Sequence, residues 1–202
     1  MNQQELECVA EAVIQRLFVP LEASGRHVHV TAQQAKILFG HGLTPARPLS
    51  QPGQFLANER VCVVGPKGKF QNVAVLGPER REAQVEISLT DARTLGLNSP
   101  IRLSGDVEST PGATLIGPVG MVKLERGVIA AQRHIHLSPE EGKRFGVADR
   151  QKVNLRTFTS RPVVFQDVVV RIHKDFSGAV HLDYDEANAC GFQNGDLGRI
   201  EP

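Results

Sequence analysis

Residues 26–36 have the sequence RHVHVTAQQAK, and residues 133–143 have the related sequence RHIHLSPEEGK. Each block begins with the alternation of polar and apolar residues that is typical of a strand. The alternation ends at Thr31 in one block and at Ser138 in the other, and both residue types favour helix N-caps. The sequence therefore predicts a strand followed by a short helix, used twice.

A second pair of related blocks follows the first pair in the same order. These blocks are VEISLTDA at 85–92 and VHLDYDEA at 180–187. Short runs of valine, isoleucine and leucine elsewhere in the chain are separated by glycine and proline. Together these features predict two similar, mainly β units with short helices, built as barrels or sandwiches.

The composition narrows the class of protein. The 202 residues carry a net charge of +1, so the basic surface expected of a nucleic-acid-binding protein is not indicated. Three scattered cysteines without a CxxC pair argue against a disulfide framework or a thiolate zinc site. No apolar run reaches the roughly 18–20 residues that span a bilayer, and the N-terminus lacks a basic signal segment. We expect a soluble cytoplasmic protein that does not bind membranes.

The N-terminal residues have a different pattern from the rest of the chain. Apolar residues recur at spacings of three and four between Leu6 and Leu17, which predicts an amphipathic helix over residues 3–18. Pro20 then ends the helix. Two roles are open for it: packing on the body of the protein, or docking its apolar side into a groove of a partner.

Two histidine pairs stand at equivalent positions of the repeats. His27 and His29 are two residues apart, as are His134 and His136, so each strand directs both imidazoles to one face. Paired imidazoles on one face can chelate a first-row metal ion. A single pair could equally be two polar residues on the solvent face of a strand, but its recurrence favours a metal site in each unit.

The second blocks supply a third ligand for each site, because Glu86 and His181 occupy equivalent positions in them. The predicted ligand sets are His27, His29 and Glu86 in one unit, and His134, His136 and His181 in the other. Three protein ligands are typical of a catalytic metal site with an open position. Imidazole and carboxylate ligands favour zinc, with iron, manganese and cobalt as alternatives.

Arginines near these motifs suggest two different roles. Arg26 and Arg133 precede the histidine pairs and are expected to brace their strands. The cluster GPERR at 77–81 lies on a predicted turn shortly before Glu86. A guanidinium there could bind an oxyanion such as phosphate beside a metal site, and a solvated turn is the alternative.

Several short phrases of the sequence resemble those of one family, the PduL-type phosphate acyltransferases (phosphotransacylases) of bacterial microcompartments. They occur in the same order over residues 24 to about 200: SGRHVH (24–29), QPGQ (51–54), VLGP (75–78), QVEIS (84–88), TDAR (90–93), QRHIH (132–136) and DEAN (185–188). The resemblance implies two β-barrel domains capped by short helices, with two zinc ions between them. It assigns residues 20–25 plus 132–202 to one barrel, residues 26–131 to the other, and residues 1–19 to an N-terminal encapsulation helix.

The resemblance also implies roles for individual residues. The site of His27, His29 and Glu86 would receive the CoA sulfur, and water would complete the second site. Arg80 would bind phosphate as a catalytic residue. The residues implied near CoA are Ser24, Arg47, Leu76 and Asn188. This chain has Ala74 where the family often has an arginine that is associated with CoA, and Arg47 or Lys69 is expected to compensate.

The implied reaction converts acyl-CoA and phosphate to acyl phosphate and CoA. The acyl group would be propanoyl or acetyl, which differ by one methylene worth about 1 kcal/mol, so the residues do not distinguish them. The pathway, for example propanediol degradation, is equally open. The implied location is a bacterial microcompartment in the cytoplasm, reached by docking of the N-terminal helix on shell or core proteins, and the implied assembly is a homodimer.

Two other functions remain open from the residues. A cupin-like mononuclear metal enzyme would use His134, His136 and Glu140 as an HxHx3E phrase, although it leaves the first histidine pair unexplained. A non-catalytic microcompartment protein could hold both metal ions for stability alone.

Overall fold

The computed structural model describes residues 2–201, which form a mainly β structure with short helices. The helices in this range are α1 (Gln3–Leu17), α2 (Ala32–Phe39), α3 (Leu89–Leu95), α4 (Pro139–Phe145) and α5 (Tyr184–Cys190). The strands are β1 (Val19–Ser24), β2 (His27–His29), β3 (Pro45–Pro48), β4 (Phe55–Val64), β5 (Lys69–Gly77), β6 (Gln84–Ile87), β7 (Ile101–Arg102), β8 (Ala113–Ile116), β9 (Met121–Leu124), β10 (Val128–Ala131), β11 (His134–Leu137), β12 (Lys152–Phe158), β13 (Val164–Ile172), β14 (Ala179–Asp183) and β15 (Leu197–Glu201). The predicted mainly β class is confirmed.

The described chain divides into two compact units. One unit contains the residues up to Ala23, Arg133–Leu182 and the residues from Glu186 onward. The other contains Ser24–Gln132 and Asp183–Asp185. The chain thus leaves the first unit after β1, builds the second unit, and returns to the first at Arg133.

The first unit is a closed barrel of six strands in the order β1-β14-β11-β13-β12-β15. Pairing of β1 with β15, in which Val19 lies opposite Gly198, closes it. Its core consists of buried aliphatic side chains from every strand, including Leu21, Ile135 and Leu155. One of the two predicted barrels is therefore confirmed.

The second unit differs from the prediction of a second closed barrel. Its nine strands form an open sheet, in the order β7-β10-β6-β2-β5-β4-β8-β9, with β3 paired to β4. Within residues 2–201, β7 and β9 are the edge strands of this sheet, and they do not pair with each other. The hairpin of β8 and β9 extends the sheet beyond β4, where the equivalent strand β12 instead pairs with β15 to close the barrel. The expected similarity of the two units is therefore limited to part of each sheet.

The shared part is a set of four strands. In the second unit their order is β6-β2-β5-β4, and in the first it is β14-β11-β13-β12. In both sets the central pair is parallel and the two outer pairs are antiparallel. The strand that carries the histidine pair is the second of the four in each set. The duplication predicted from the sequence is therefore present in the fold.

The helices that follow the histidine strands begin as predicted. Thr31 caps α2 and Ser138 caps α4, each through a reciprocal pair of hydrogen bonds with the third residue of the helix. Both helices end at a glycine with positive φ, Gly40 and Gly146, a conformation that glycine adopts without steric cost.

The N-terminal helix α1 is present as predicted, and none of the residues of Gln3–Leu17 is buried. Its apolar side chains Leu6, Val9 and Val13 are about half exposed. The helix ends at Leu17, and Val19 already belongs to β1 and to the barrel core. No helix within residues 2–201 has the length and apolar character required to cross a membrane.

Candidate functional site

Each histidine strand directs its two imidazoles to one face of its own sheet, because the residue between the two histidines points into a hydrophobic core. Val28 lies fully buried in the core of the second unit, and Ile135 lies fully buried in the barrel core. Side chains alternate along a strand, so His27 and His29 lie on the opposite face of β2 from Val28. The same alternation applies to β11.

Strand pairing brings a third metal-binding side chain to each pair of histidines. Glu86 on β6 lies directly opposite His27, and His181 on β14 lies directly opposite His134. Directly paired residues in neighbouring strands share a face of the sheet. Glu86 and His181, inferred from the repeat to be equivalent, are thus each paired with the first histidine of their unit.

The first cluster consists of His27, His29 and Glu86, all of which are buried. Glu86 Oε1 lies 3.5 Å from His27 Nε2 and 3.6 Å from His29 Nε2. The Nδ1 atoms of the two histidines lie 2.8 Å from the carbonyl oxygen of Gly25 and 3.2 Å from that of Leu76. A carbonyl oxygen only accepts, so each Nδ1 carries the proton and each Nε2 is available to a metal ion.

The charges in the first cluster are strongly coupled. Burial alone would lower the pKa of His27, but the carboxylate of Glu86 outweighs it and raises that pKa above its usual value. Burial lowers the pKa of His29 to about 4. Burial disfavours the charge on Glu86, yet the two histidines hold the pKa of that carboxyl well below its usual range. At neutral pH the cluster therefore contains a carboxylate and a neutral imidazole, both suited to bind a cation.

The second cluster consists of His134, His136 and His181. The ring centroid of His136 lies 4.6 Å from that of His134 and 4.7 Å from that of His181. His181 Nδ1 lies 3.6 Å from Glu22 Oε2 on the neighbouring strand β1, and Phe176 packs on His136. A carboxylate beside the outer nitrogen of a histidine is a common arrangement around metal sites.

Both clusters fit a transition-metal ion. Within residues 2–201, each offers three ligand atoms that lie within 4.8 Å of one another. The donor sets, two imidazoles with a carboxylate and three imidazoles, suit zinc and leave a position open for another ligand. Glu140, which the cupin-like alternative requires, is instead an exposed residue at the start of α4. The geometry therefore does not favour that alternative.

Arg80 lies close to the first cluster. Its backbone N–H donates to the carbonyl oxygen of Val30, which follows His29, over 2.9 Å. Its positive charge opposes protonation of His27 and His29, to a smaller extent than burial. The neighbouring Arg81 is exposed. Of the two arginines in the segment at 77–81, Arg80 is thus the one whose charge acts on the histidines of the first cluster.

The four residues implied near CoA occupy different elements. Arg47, exposed on β3, lies opposite Leu56 of β4, which in turn lies opposite Leu76 of β5, so these residues form one row across the sheet. Ser24 ends β1 and is half-buried, and Asn188 is exposed on α5.

Ala74 and the two basic residues expected to compensate for it, Arg47 and Lys69, lie in one sheet. Ala74 lies opposite His27 on the neighbouring strand. Lys69 begins β5, at the end of the strand far from Leu76, whereas Arg47 lies in the row of Leu76. Of these two residues, Arg47 is thus the one that shares a row with Leu76.

The arginines that precede the histidine pairs brace the fold, as expected. Arg26 binds both carboxylate oxygens of Asp91 on α3, at 3.0 and 2.8 Å. Arg133 donates to Glu186 on α5 and to the carbonyl oxygen of Gln166. Each arginine thus ties its histidine strand to the helix that directly follows the strand of the third ligand, α3 after β6 and α5 after β14. His41 and His173, which have no counterpart in the repeat, are exposed.

Two residues beside the first cluster were missed by the sequence analysis. Gln84 lies opposite His29 and is only 2% exposed, and Ser104 hydrogen-bonds to both Gln84 and Arg80. Gln84 stands two residues before Glu86, so strand alternation could have placed it on the same face. Ser104 belongs to a loop with no periodic pattern, and its proximity is a result of tertiary structure alone.

Comparison with known proteins shows which family this chain resembles. The family model for phosphate propanoyltransferase matches residues 20–193. A phosphate propanoyltransferase of Enterococcus faecalis is 53% identical, over 89% of this chain and 86% of its own length. One from Leptotrichia buccalis is 47% identical over the whole of both chains, and one from Clostridioides difficile is 47% identical over 95% of each.

These similarities extend over nearly the entire chain, and the matched residues 20–193 contain both histidine pairs. The protein is an acyltransferase. It belongs to the phosphate propanoyltransferase family.

Proposed function

We propose that this protein transfers an acyl group between CoA and phosphate at a site that holds two zinc ions. The observation that carries the proposal is the pair of three-ligand clusters, at equivalent register positions of a duplicated strand set, in a chain of this family. The relatives are named for propanoyl transfer, and we extend that activity, with acetyl-CoA as a second substrate, to this chain.

The reaction is an acyl transfer without net oxidation. A phosphate oxygen forms a bond to the carbonyl carbon of the thioester, the carbon–sulfur bond breaks, and CoA leaves as a thiolate. Arg80 binds the phosphate dianion and orients one of its oxygens toward the thioester carbon. Its positive charge also reduces the repulsion between phosphate and the oxyanion that develops on the carbonyl.

Six side chains would hold the metal ions: His27, His29 and Glu86 for one, and His134, His136 and His181 for the other. When bound, the ions would act as Lewis acids, the first stabilising the thiolate of CoA and the second the phosphate side of the reaction. The protein's contribution is to keep both histidines of the first cluster in the Nδ1-protonated form, because the carbonyl oxygens of Gly25 and Leu76 accept hydrogen bonds from Nδ1–H.

We propose that Ser24, Arg47, Leu76 and Asn188 bind CoA. Arg47 would contact a phosphate of CoA, and Leu76, in the same row of the sheet, would contact an apolar part of the molecule. Ser24 and Asn188 complete the proposed contacts. With alanine at position 74, Arg47 provides the positive charge that the family often provides from that position.

The test is an assay for CoA release from propanoyl-CoA and acetyl-CoA in the presence of phosphate, with and without a chelator. We expect release that requires phosphate and that the chelator abolishes. The Arg80→Ala variant should require a much higher phosphate concentration, whereas Arg81→Ala, which removes the same charge from an exposed neighbour, should behave as the wild type.

The same assay separates the proposal from a non-catalytic role. A protein that holds two metal ions and releases no CoA from either substrate would contradict the acyltransferase proposal and favour stabilisation by metal alone. The ratio of kcat/KM for the two acyl-CoAs would give the acyl preference.

We further propose that α1 directs the enzyme into a bacterial microcompartment in the cytoplasm by docking on shell or core proteins. The exposed apolar side chains of the helix support this role. The test is a variant with Leu6, Val9 and Val13 replaced by glutamine, because removal of residues 1–19 would also remove Val19 from the barrel core. Unchanged CoA release with lost co-assembly is expected, and unchanged co-assembly would contradict the role.

A homodimer is the proposed assembly of the free enzyme. The expected mass by light scattering is therefore twice the 22.0 kDa of the chain. A mass of one chain at micromolar concentration would contradict this assembly.

A further inference from the structure

A chain of hydrogen bonds connects Arg80 to the first cluster through two residues that the proposed function does not use. Arg80 Nη1 donates to Ser104 Oγ over 2.9 Å, and Gln84 Nε2 donates to the same oxygen over 2.9 Å. Gln84 Nε2 also donates to Glu86 Oε1. The guanidinium and the carboxylate are thus joined by one hydroxyl and one amide.

The amide of Gln84 has a single orientation in this arrangement. Its Oε1 accepts from the backbone N–H of Gly105 over 2.7 Å, so its nitrogen faces Ser104 and Glu86. Reversal of the amide would place two acceptors, the carbonyl oxygen of Gln84 and the carboxylate of Glu86, against each other. Because the side chain is buried, that reversal would cost unsatisfied hydrogen bonds.

We propose that Gln84 and Ser104 are positioning residues that hold Glu86 and Arg80 at a set separation and orientation. Gln84 fixes the carboxylate through a donated hydrogen bond, and Ser104 fixes the guanidinium through an accepted one. The inference rests on the proposed function for the role of Arg80 toward phosphate. Its part concerning Glu86 requires only that the first cluster binds a metal ion.

The two residues should affect different measurements. Ser104 acts on Arg80, so its loss should weaken phosphate binding with little effect on acyl-CoA binding. Gln84 acts on Glu86, so its loss should weaken metal binding, for which loss of such outer contacts typically costs 10–100-fold in affinity. A role in folding alone would produce neither pattern.

The first test compares Ser104→Ala with Ser104→Thr, which keeps the hydroxyl, in the CoA-release assay. We expect Ser104→Ala to raise the KM for phosphate about tenfold, the effect of one hydrogen bond to a charged group, with the KM for acyl-CoA within about twofold of wild type. Ser104→Thr should restore most of the phosphate affinity. In an Arg80→Ala background, Ser104→Ala should change the phosphate KM less than about twofold, because its target is gone.

The second test needs no catalytic activity. The Gln84→Met variant, of similar side-chain size, and the wild type are loaded with zinc and titrated with a chelator. We expect one of the two ions to leave Gln84→Met at a chelator concentration about tenfold or more below that for wild type, and Ser104→Ala to retain both ions. Melting curves of the loaded proteins check that each variant is folded.

The outcomes distinguish this inference from the proposed function. A wild type without CoA release contradicts the proposed function, and chelator titration then still decides the role of Gln84. If the wild type is active, either of two results overturns the role of Ser104. One is that Ser104→Ala raises the KM for phosphate and the KM for acyl-CoA equally. The other is that it raises the KM for phosphate by the same factor in the Arg80→Ala background as in the wild type. Equal zinc retention by wild type and Gln84→Met overturns the role of Gln84.

Discussion

Acid should destabilise the metal-free protein through His29. This imidazole is buried, and its pKa falls from the ordinary 6.5 to about 4. In the unfolded chain the same group takes up a proton as the pH falls through 6.5, so acid favours the unfolded state until the folded protein is protonated as well. Because the group in the unfolded chain is only half protonated at pH 6.5, the free energy of unfolding falls by about 2 kcal/mol between pH 6.5 and pH 4.5.

The other members of the cluster act outside this window. The raised pKa of His27 contributes stability that is fully present below pH 6.5 and is lost as the pH rises through the raised value. The lowered pKa of Glu86 contributes stability that is present above about 4.5 and is lost only at lower pH. The loss between pH 6.5 and 4.5 should therefore be assignable to His29 within this cluster.

The assay is urea unfolding of chelator-treated protein at pH 6.5, 5.5 and 4.5. The wild type is compared with His29→Asn, which cannot take up the proton, and with His173→Asn as an exposed control. The stability difference between wild type and His29→Asn should decrease by about 2 kcal/mol over this range. If the difference between wild type and His29→Asn stays constant over this range, or if the difference between wild type and His173→Asn changes equally, protonation of His29 is not the cause of the loss.

Three further predictions concern stability of the units. Replacing Arg26 with alanine should lower the free energy of unfolding by about 2 kcal/mol in urea titrations, because it leaves the buried carboxylate of Asp91 without its bidentate partner; an unchanged value would contradict the bracing role. Replacing Gly117 with alanine should lower the melting temperature, since the added Cβ would overlap the backbone carbonyl group of Leu38, which cannot move aside as a side chain can; equal melting temperatures would count against this contact. Replacing Leu155 with alanine should cost about 2–5 kcal/mol by opening a cavity in the closed barrel, and a cost under about 1 kcal/mol would indicate that the core refills.

The sequence predicted the histidine strands and the class of fold because both depend on local pattern. An HxH phrase on a strand places two imidazoles on one face whatever the rest of the chain does. Repetition then identified Glu86 and His181 as equivalent, and the structure shows both directly opposite the first histidine of their pair.

The open sheet and the hydrogen bonds beside the cluster could not be predicted in the same way. Whether a sheet closes depends on which edge strands meet, and β7 has only the two residues Ile101–Arg102. Closure of the barrel relies on β1, which is separated from its partner β15 by most of the chain. Ser104 reaches Arg80 and Gln84 only through tertiary structure, so no spacing in the sequence marks it.

Adding zinc back to metal-free protein tests directly whether this chain is a phosphate acyltransferase with two metal sites. CoA release from propanoyl-CoA and phosphate is measured after each addition. We predict that activity is absent at the start, rises with added zinc, and reaches its plateau at two ions per chain. Full activity in protein shown to be free of metal, or a plateau at one ion per chain, would contradict a reaction that depends on two metal ions.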